Sequence, residues 1–410
     1  MPRIPPRLLH QASSINPLLR KLLSAARDLQ SAKNELRWLK EHAMEQSLRR
    51  NGEAPNEAER HGDASRRLQR YCEERGRGKP LQYILGTAFF GDLEIKCEEG
   101  VLIPRWETAS LVEHFATVIH TRCSSSSRPL RILEPCTGTG CMSLLLQHTL
   151  TRLKYPEPVK TLGLDISSQA IKLARHNLSR LPHVTDGHKD STVDFRLADV
   201  FRQDSLPSQE TRSVPSRQSV LEQYDLAHRV HATKNAFMSN NLSGPAMVNR
   251  QTVGGWDLLL SNPPYVSPRQ YARTTSLSVR KHEPRIALVP PSTHAESKLD
   301  MTDEERGDLF YPALLDLAKK IGVRGVMFEI GDAKQAGRVV GMVMEKLGEG
   351  WEVEVWRDEP AAKEEDDLTE GEEGLEGRVV RGRGRVRGVF AWREGARVDG
   401  LGGGADGDAN

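Results

Sequence analysis

The sequence lacks several features that would place it in other protein classes. No apolar run approaches the roughly 20 residues that span a bilayer. None of the five cysteines belongs to a Cys-x-x-Cys pair, so we predict reduced thiols and no metal site. The net charge is only +2, from 58 basic and 56 acidic residues, which predicts no bulk binding of nucleic acid. We expect a monomer that does not associate with membranes.

The chain is also poor in apolar residues for its size. Hydrophobic residues make up 37% of the 410 positions and the mean hydropathy is −0.54, which indicates that part of the chain stays outside any core. The length still allows one large domain and one small domain. Residues 203–255 are rich in serine, asparagine and glutamine without periodicity, and we predict a disordered insertion there. A second disordered segment is predicted for the tail, residues 396–410.

The N-terminal region has two interpretations. Residues 1–27 contain five basic residues and no acid, which is the composition of a mitochondrial transit peptide. We place this targeting segment at residues 1–19; the alternative is a basic first helix of the folded protein. Leucines and alanines then follow a helical stripe from about Pro17, and we predict a helical domain over residues 20–78. Residues 79–104 alternate as a connecting β-hairpin.

A strand, a glycine-containing loop and a helix follow one another from Leu130 onward. Residues 130–134 form a short apolar strand that ends in Glu134, and an apolar helix begins at Cys141. Glycines between a strand and a helix allow a nucleotide-type ligand to approach the backbone. The loop residues predicted to contact this ligand are Thr137, Gly138, Thr139 and Gly140.

Two further strands end in acids that suit the same ligand. Asp165 ends the strand from Val159, about 25 residues past the glycine loop, which is the spacing of a carboxylate on ribose hydroxyls. Asp199 and Val200 follow a third strand, where an acid can accept from an adenine amino group. An acid at Glu134 would repel a pyrophosphate but can pair with a cationic amino group, which favours S-adenosylmethionine over NAD. The alternative for each acid is that it caps the next helix.

The apolar strand 256–261 ends in a rigid polar corner, Asn262-Pro263-Pro264-Tyr265. The Asn262 side chain offers both an acceptor and donors. The prolines fix φ and lack N–H groups, so the Pro263 carbonyl can point outward without a competing donor. Such a corner can hold a planar –NH2 group by two acceptors while the Tyr265 ring packs against it. The pattern predicts methylation of an amide or amino nitrogen.

The rest of the chain predicts a doubly wound α/β sheet. Three more strands and two helices complete it, at residues 325–331, 351–356, 386–392, 306–320 and 334–347. This gives seven strands, with the last pair antiparallel, in a domain over residues 105–395. The ligand should lie beyond the carboxyl ends of the strands, where Glu134, Asp165, Asp199 and Asn262 all fall.

In order and content, the motifs of this chain resemble those of the HemK/PrmC release-factor glutamine methyltransferases. The matching segments are 80–86, 89–91, 101–108, 132–141 and 262–265, and the resemblance covers roughly residues 20–395 apart from the insertion. It implies a seven-stranded Rossmann-like class I S-adenosylmethionine-dependent methyltransferase. It also implies a small N-terminal helical domain that meets a release factor. The reaction implied is methyl transfer to the side-chain amide of the glutamine in a Gly-Gly-Gln loop.

The resemblance also implies roles for individual residues. Asn262, Pro263 and Tyr265 would carry catalysis, and Asn262 would also border the cofactor. The substrate site would comprise the whole Asn262–Tyr265 corner together with Glu107 and Thr108. The alternative for Glu107 and Thr108 is a capped start of the next helix.

At three positions the chain departs from the family pattern. Glu134 replaces the usual aspartate, Cys136 the usual first glycine, and Trp106 a common proline. The change at Cys136 matters most, because a side chain then occupies a position where φ can be positive.

Two alternative functions remain open at this point. A nucleic-acid amino-methyltransferase would use the same corner, but near-neutral charge and the helical domain argue against it. A non-catalytic adaptor would keep the fold and lose the cofactor, and Cys136 is the one feature in its favour. We expect the protein in the mitochondrial matrix, with the cytoplasm as the alternative.

Overall fold

In the computed structural model, the described residues are 4–49, 57–124, 128–202, 214–225, 255–291, 301–362, 375 and 377–393. The predicted disordered tail at 396–410 lies outside them, as does most of the predicted insertion.

Four helices open the chain: α1 (Pro6–Ile15), α2 (Pro17–Ala26), α3 (Leu29–Leu48) and α4 (Glu57–Gly76). The single helix expected from Pro17 is in fact two helices. Arg27 adopts a left-handed φ of 70° at the end of α2, and the Asp28 side chain then caps α3 by accepting from the Ser31 N–H at 2.8 Å. The turn brings the apolar faces of α2 and α3 together.

The helical core includes part of the segment assigned to targeting. Ala12 of α1 and Leu19 of α2 are fully buried in one cluster with Leu39 and Cys72 from α3 and α4. A buried ion pair between Glu35 and Arg75, 2.7 Å apart, links α3 to α4. Helix α1 therefore packs as the first helix of this bundle, and residues that we assign to the targeting segment contribute to its core.

A short connector joins the bundle to the larger part of the chain. Residues 81–85, expected within the hairpin, instead form one helical turn, α5 (Leu81–Leu85), which ends at Gly86 with φ of 78°. The hairpin itself is shorter, with β1 (Thr87–Phe90) paired antiparallel to β2 (Leu93–Lys96).

The remaining elements alternate helices with strands. In chain order they are α6 (Trp106–Cys123), β3 (Leu130–Pro135), α7 (Cys141–Arg152), β4 (Val159–Asp165), α8 (Ser168–Arg180), β5 (Thr192–Leu197), α9 (217–225), β6 (Leu258–Ser261), α10 (Pro268–Arg273), α11 (Leu277–His282), α12 (Asp303–Gly307), α13 (Phe310–Ile321), β7 (Gly325–Glu329), α14 (Ala333–Leu347), β8 (Trp351–Glu359), β9 (Val379–Arg381) and β10 (Arg383–Arg393).

Within the described residues, the central sheet has the strand order β5-β4-β3-β6-β7-β10-β8-β9. Strands β3 to β7 pair in parallel, and β10 runs antiparallel to both β7 and β8. The predicted α/β class and mostly parallel sheet are confirmed. The edge strand β9 is an eighth strand that the sequence pattern does not indicate, because it has only three residues.

Helices cover both faces of the sheet. One core holds residues of α6, α7 and α8, and the other holds residues of α9, α13 and α14. Both faces of the parallel strands are buried, which explains their continuous apolar sequences. No helix in the described part of the chain has the length and apolar content needed to cross a bilayer.

The expectation of disorder across residues 203–255 is wrong for residues 214–225. This stretch contains α9, and Val220, Leu221 and Tyr224 are buried against the sheet. Its three apolar contacts are too few to give a detectable period in a polar sequence, yet they fill one face of a two-turn helix.

Candidate functional site

A cavity opens where the parallel strands end. Its volume is about 850 Å³ when the open solvent at its mouth is included. The predicted site residues on its wall are Gly138, Asp165, Asp199, Val200, Asn262 and Pro264. Residues from four strand ends, those of β3, β4, β5 and β6, therefore meet at one cavity.

Asp165 is tied directly to the glycine loop. Its Oδ2 accepts from the Gly138 N–H at 2.9 Å, and its Oδ1 accepts from the Ser167 N–H at 2.8 Å. Burial raises the pKa of Asp165, while these backbone donors favour the charged form. A Cβ at Gly138 would meet nothing within 4 Å, so the backbone faces open space there. The pair forms a polar wall with spare carboxylate lone pairs.

Glu134 lies beneath the loop and does not line the cavity. Its Oε2 accepts from the hydroxyl groups of Thr137, at 2.8 Å, and Ser143, and from the Ser143 N–H. Burial raises the pKa of Glu134 to about 8, the hydrogen bonds oppose that rise, and the charge of Asp165 adds to it. Its Oε1 is buried without a partner among the described residues. Glu134 thus anchors the loop to the start of α7.

The other loop residues lie below the cavity surface. Thr137 and Thr139 are buried, and the Thr139 carbonyl accepts from the Asn177 side chain at 3.0 Å. Gly140 packs so closely on Phe195 that a Cβ would come within 2.7 Å of the ring. Of the four loop residues predicted to contact a ligand, only Gly138 therefore reaches the cavity wall.

Cys136 adopts the backbone conformation that the sequence analysis identified as a difficulty. Its φ is 63°, in the left-handed region that glycine occupies without strain. The residue lines the cavity, and burial raises the pKa of its thiol well above the usual value. The loop keeps a left-handed turn even though a side chain is present.

The loop after β5 forms the opposite wall. The Asp199 side chain accepts from the Phe201 N–H at 2.9 Å, which folds the loop back on itself. Val200 and Phe201 face the cavity, and the Phe201 ring meets Phe310 edge-on with centroids 4.5 Å apart. This wall offers one acid beside flat apolar groups, which suits a heterocycle that carries an amino group.

The Asn262–Tyr265 corner reaches the same cavity through Asn262 and Pro264. No side-chain hydrogen bond engages the Asn262 amide in the described part of the chain. At its base, the Ser261 hydroxyl donates to the Pro135 carbonyl at 2.7 Å, which joins the end of β6 to the end of β3. This hydrogen bond therefore holds the corner and the glycine loop next to each other.

Tyr265 points away from the cavity into a buried network. Its hydroxyl donates to Glu329 Oε1 at 3.1 Å, and the Thr108 hydroxyl donates to Glu329 Oε2 at 2.5 Å. Burial raises the pKa of both Glu329 and Tyr265. Thr108, Glu107, Pro263 and Tyr265 are absent from the cavity wall. Glu329, like Asp165, is an acid at the end of an apolar parallel strand. The same sequence pattern could therefore have identified it as a candidate site residue.

Two loops that no sequence motif indicates also form walls of the cavity. Residues 100–102 line one side, and Pro284, Ile286, Ala287 and Pro291 line another. An ion pair connects the two loops, because Arg105 Nη2 donates to both carboxylate oxygens of Glu283 at 2.6 and 2.8 Å. Loop residues without periodicity carry no sequence signal of this kind.

Comparison with known proteins gives two yeast relatives that match most of the chain. The Schizosaccharomyces pombe protein named "Probable MRF1 mitochondrial N(5)-glutamine methyltransferase mtq1" is 29% identical over 346 residues, which are 82% of this chain and 87% of that protein. The Saccharomyces cerevisiae "Mitochondrial MRF1 N(5)-glutamine methyltransferase MTQ1" is 30% identical over 290 residues, 70% of this chain and 68% of that protein. The chain belongs to the release factor glutamine methyltransferase family.

Other comparisons add less to this family assignment. A "Release factor glutamine methyltransferase" of Chlorobaculum tepidum is 30% identical over 54% of this chain and 56% of that protein. No family model matches the sequence. Among solved structures, the hMettl16 catalytic domain reaches a TM-score of only 0.37 with 11% identity over 96% of this chain and 93% of that chain, too low to indicate function.

As a member of the release factor glutamine methyltransferase family, the protein is a methyltransferase and its cofactor is S-adenosylmethionine. The residues present fit that molecule. Gly138 leaves the backbone open to a ligand, and the cavity walls supply the carboxylates of Asp165 and Asp199.

Proposed function

We propose that this methyltransferase methylates the side-chain amide of the glutamine in the Gly-Gly-Gln loop of a peptide chain release factor, in the mitochondrial matrix. The names of the yeast and bacterial relatives support this substrate, and the yeast names support the compartment. One observation carries the proposal: Asn262 and Pro264 line the same cavity as Gly138 and Asp165. A planar amide and a methyl donor would therefore meet in one space.

In this proposal, each wall of the cavity binds one part of the cofactor. Asp165 accepts from the ribose hydroxyls, and Asp199 accepts from the adenine amino group beside Val200. The loop from Thr137 to Gly140, anchored by Glu134, supports the methionine portion. When bound, S-adenosylmethionine supplies an electrophilic methyl group on its sulfonium sulfur.

The corner would act as a clamp for the substrate amide. The Asn262 side-chain oxygen, on the cavity wall, and the Pro263 carbonyl, which is not part of that wall, would accept the two amide hydrogens. An amide nitrogen is a poor nucleophile because its lone pair is delocalised, so its orientation toward the donor matters. Positioning of this kind can contribute roughly 7–11 kcal/mol in favourable cases.

Electrostatics would assist the same step. Positive charge develops on the amide nitrogen during transfer, and the two carbonyl oxygens face it as preorganised dipoles. No strong base is needed beforehand, because the nitrogen proton would become acidic as the new bond forms and would then be released to water. Pro264 shapes the pocket, while Tyr265, Glu107 and Thr108 support the corner from behind through Glu329. The release factor would bind to the N-terminal helical bundle, through the domain that we assign to residues 20–78.

The test is methyl transfer by a purified Asn262→Ala variant to a release-factor domain that contains Gly-Gly-Gln. We expect the rate to fall at least 100-fold, since one of two positioning acceptors is lost. Gln270→Ala is the matched control, because it removes another side-chain amide on the neighbouring helix α10, outside the cavity wall. We expect this control to retain activity.

Two results would contradict the proposal. Asn262→Ala activity within tenfold of wild type would exclude the amide clamp. Failure of the wild-type protein to bind S-adenosylmethionine in calorimetry would favour the adaptor. Mass spectrometry of mitochondrial and cytosolic release factors after loss of this protein would identify the substrate and its compartment.

A further inference from the structure

The short helix α9 is attached at its beginning to the loop that forms one wall of the cavity. The Asp199 N–H donates to the Pro215 carbonyl at 3.1 Å, and Asp199 forms an isolated parallel β-bridge with Ser216. Residues 198–201, which line the cavity, are therefore held by backbone contacts to the residues just before α9. Residues 215–216 thus pair with the chain just after β5, the edge strand of the sheet, next to the cavity.

Arg217, at the start of α9, adds a side-chain contact to the same loop. Its side chain is only 6% exposed, although its head group is charged. Its Nη1 donates to the Val200 carbonyl and lies 3.5 Å from the Ala313 carbonyl of α13. The charged groups that face it are Asp199 and Asp316. A buried guanidinium is costly unless hydrogen-bonded, so its place here indicates that these acceptors are held in fixed positions.

The far end of α9 is attached to the strands. Asp225 forms an ion pair with Arg131 of β3, whose guanidinium lies 4.5 Å from the centroid of the Trp256 ring. Tyr224 stacks on that ring with centroids 5.8 Å apart. Since contacts join residues 215–217 to the cavity wall and residues 224–225 to the strand region, a displacement of this segment would disturb the wall or the sheet.

We propose that α9 is a positioning element of the cofactor site, and that Arg217 is the residue through which it acts. By holding the Val200 carbonyl, Arg217 fixes the direction in which Val200 and Phe201 face the cavity. This inference rests on the assignment of the cavity to S-adenosylmethionine, but it does not depend on which amide is methylated.

The experiment compares cofactor affinity in variants at position 217, measured by calorimetry with S-adenosylmethionine alone. We expect Arg217→Leu, which keeps an apolar stem and removes the donors, to raise the Kd about tenfold. Arg217→Lys, which keeps a cation with N–H donors but loses the planar fork of the guanidinium, should raise it about threefold. In steady-state assays, the KM for S-adenosylmethionine should rise while the KM for the release-factor domain stays unchanged.

Two controls separate positioning from general stability. Gln223→Ala changes an exposed residue of α9 and should bind as wild type does. Val340→Ala removes buried volume from α14, in the same core but off the cavity wall, and should lower the Tm without changing the Kd. An unchanged Kd in Arg217→Leu would overturn the proposal. If that variant fails to fold, an unchanged Kd in Arg217→Lys would overturn it instead. A wild-type protein without affinity would reject the cofactor assignment itself.

Discussion

The hydroxyl group of Tyr265 donates a hydrogen bond to the carboxylate of Glu329 at 3.1 Å, and Thr108 donates to the other oxygen of that carboxylate. Three segments distant in sequence therefore meet at one buried acid. The corner that carries Asn262 is fixed from behind by this network.

Removal of the Tyr265 hydroxyl should loosen the corner. We expect Tyr265→Phe to lower the free energy of unfolding by about 1.5–3 kcal/mol, since a hydrogen bond to a buried carboxylate is lost. We also expect kcat to fall about tenfold, because small displacements of positioning groups slow the reaction. The measurements are urea unfolding and steady-state kinetics.

Tyr271→Phe provides the control for this prediction. Its hydroxyl lies 3.4 Å from the Arg280 carbonyl in an exposed setting, so its loss should change stability by less than about 0.5 kcal/mol. Equal effects of the two substitutions would contradict a special role for the Tyr265–Glu329 bond.

Protonation of Glu134 should make stability depend on pH. Because the folded-state pKa of about 8 lies above the ordinary value of 4.5, the folded protein keeps a proton that the unfolded chain has released. Rising pH between about 4.5 and 8 therefore lowers the free energy of unfolding. Glu134→Gln removes this titration. The free energy of unfolding of the variant, relative to that of wild type, should therefore rise by a few kcal/mol, on the order of 4, between pH 5 and pH 8.

Urea unfolding of both proteins at these two pH values measures the difference. Glu349→Gln, at an exposed carboxyl group, is the control and should follow wild type. If the free energy of unfolding changes with pH in the same way in wild type and Glu134→Gln, burial does not raise the pKa of Glu134 in the folded protein.

The left-handed backbone at Cys136 predicts opposite results for two substitutions. Glycine adopts a φ of 63° freely, so Cys136→Gly should leave the Kd for S-adenosylmethionine within about threefold of wild type. A β-branched residue strongly disfavours positive φ, so Cys136→Val should weaken binding more than tenfold by distorting the loop next to Gly138. Calorimetry checks both.

Either of two outcomes at position 136 would change our interpretation. Wild-type affinity in Cys136→Val would mean that the cofactor does not depend on this turn. An affinity gain of more than tenfold in Cys136→Gly would mean that the native cysteine impairs the site, which would favour the adaptor.

Truncation of the N-terminus tests whether α1 belongs to the folded bundle. Deletion of residues 1–15 removes α1 and the fully buried Ala12 but keeps Asn16, whose side chain caps α2. We expect the Tm to fall by several degrees, because a loss of about 1–2 kcal/mol in the free energy of unfolding shifts the Tm of a domain by several degrees. Deletion of residues 1–3 is the control. An unchanged Tm after the longer deletion would show that α1 contributes nothing to the core.

Much of the sheet was predictable because its parallel strands are buried on both faces. Val159–Asp165 is an apolar run closed by an acid, and the observed β4 has the same bounds. The order of polar strand ends also predicted where the cavity lies. What the sequence could not supply was side-chain direction, since Tyr265 and Thr108 meet at Glu329 behind the cavity.

The parts that escaped prediction share a physical reason. α9 is short, lies in a polar stretch, and is held by contacts with residues far away in sequence, such as Arg131 and Trp256. The Pro284–Pro291 wall contains a single 3₁₀ turn, Arg285–Ala287, and is held through Glu283 to Arg105. Periodicity detects elements that repeat an apolar face over several turns. The apolar face of α9 is limited to Val220, Leu221 and Tyr224, and the Pro284–Pro291 wall has no such repeat.

The bond from the Ser261 hydroxyl to the Pro135 carbonyl has a practical consequence for re-engineering the protein. This one hydrogen bond holds both the glycine loop and the Asn262–Tyr265 corner. A substitution that enlarges the cavity at this point would therefore displace the methyl donor and the substrate amide at the same time. Room for bulkier sulfonium analogues should instead be made by shortening Phe310 or Ile286, which line the cavity and take no part in that bond.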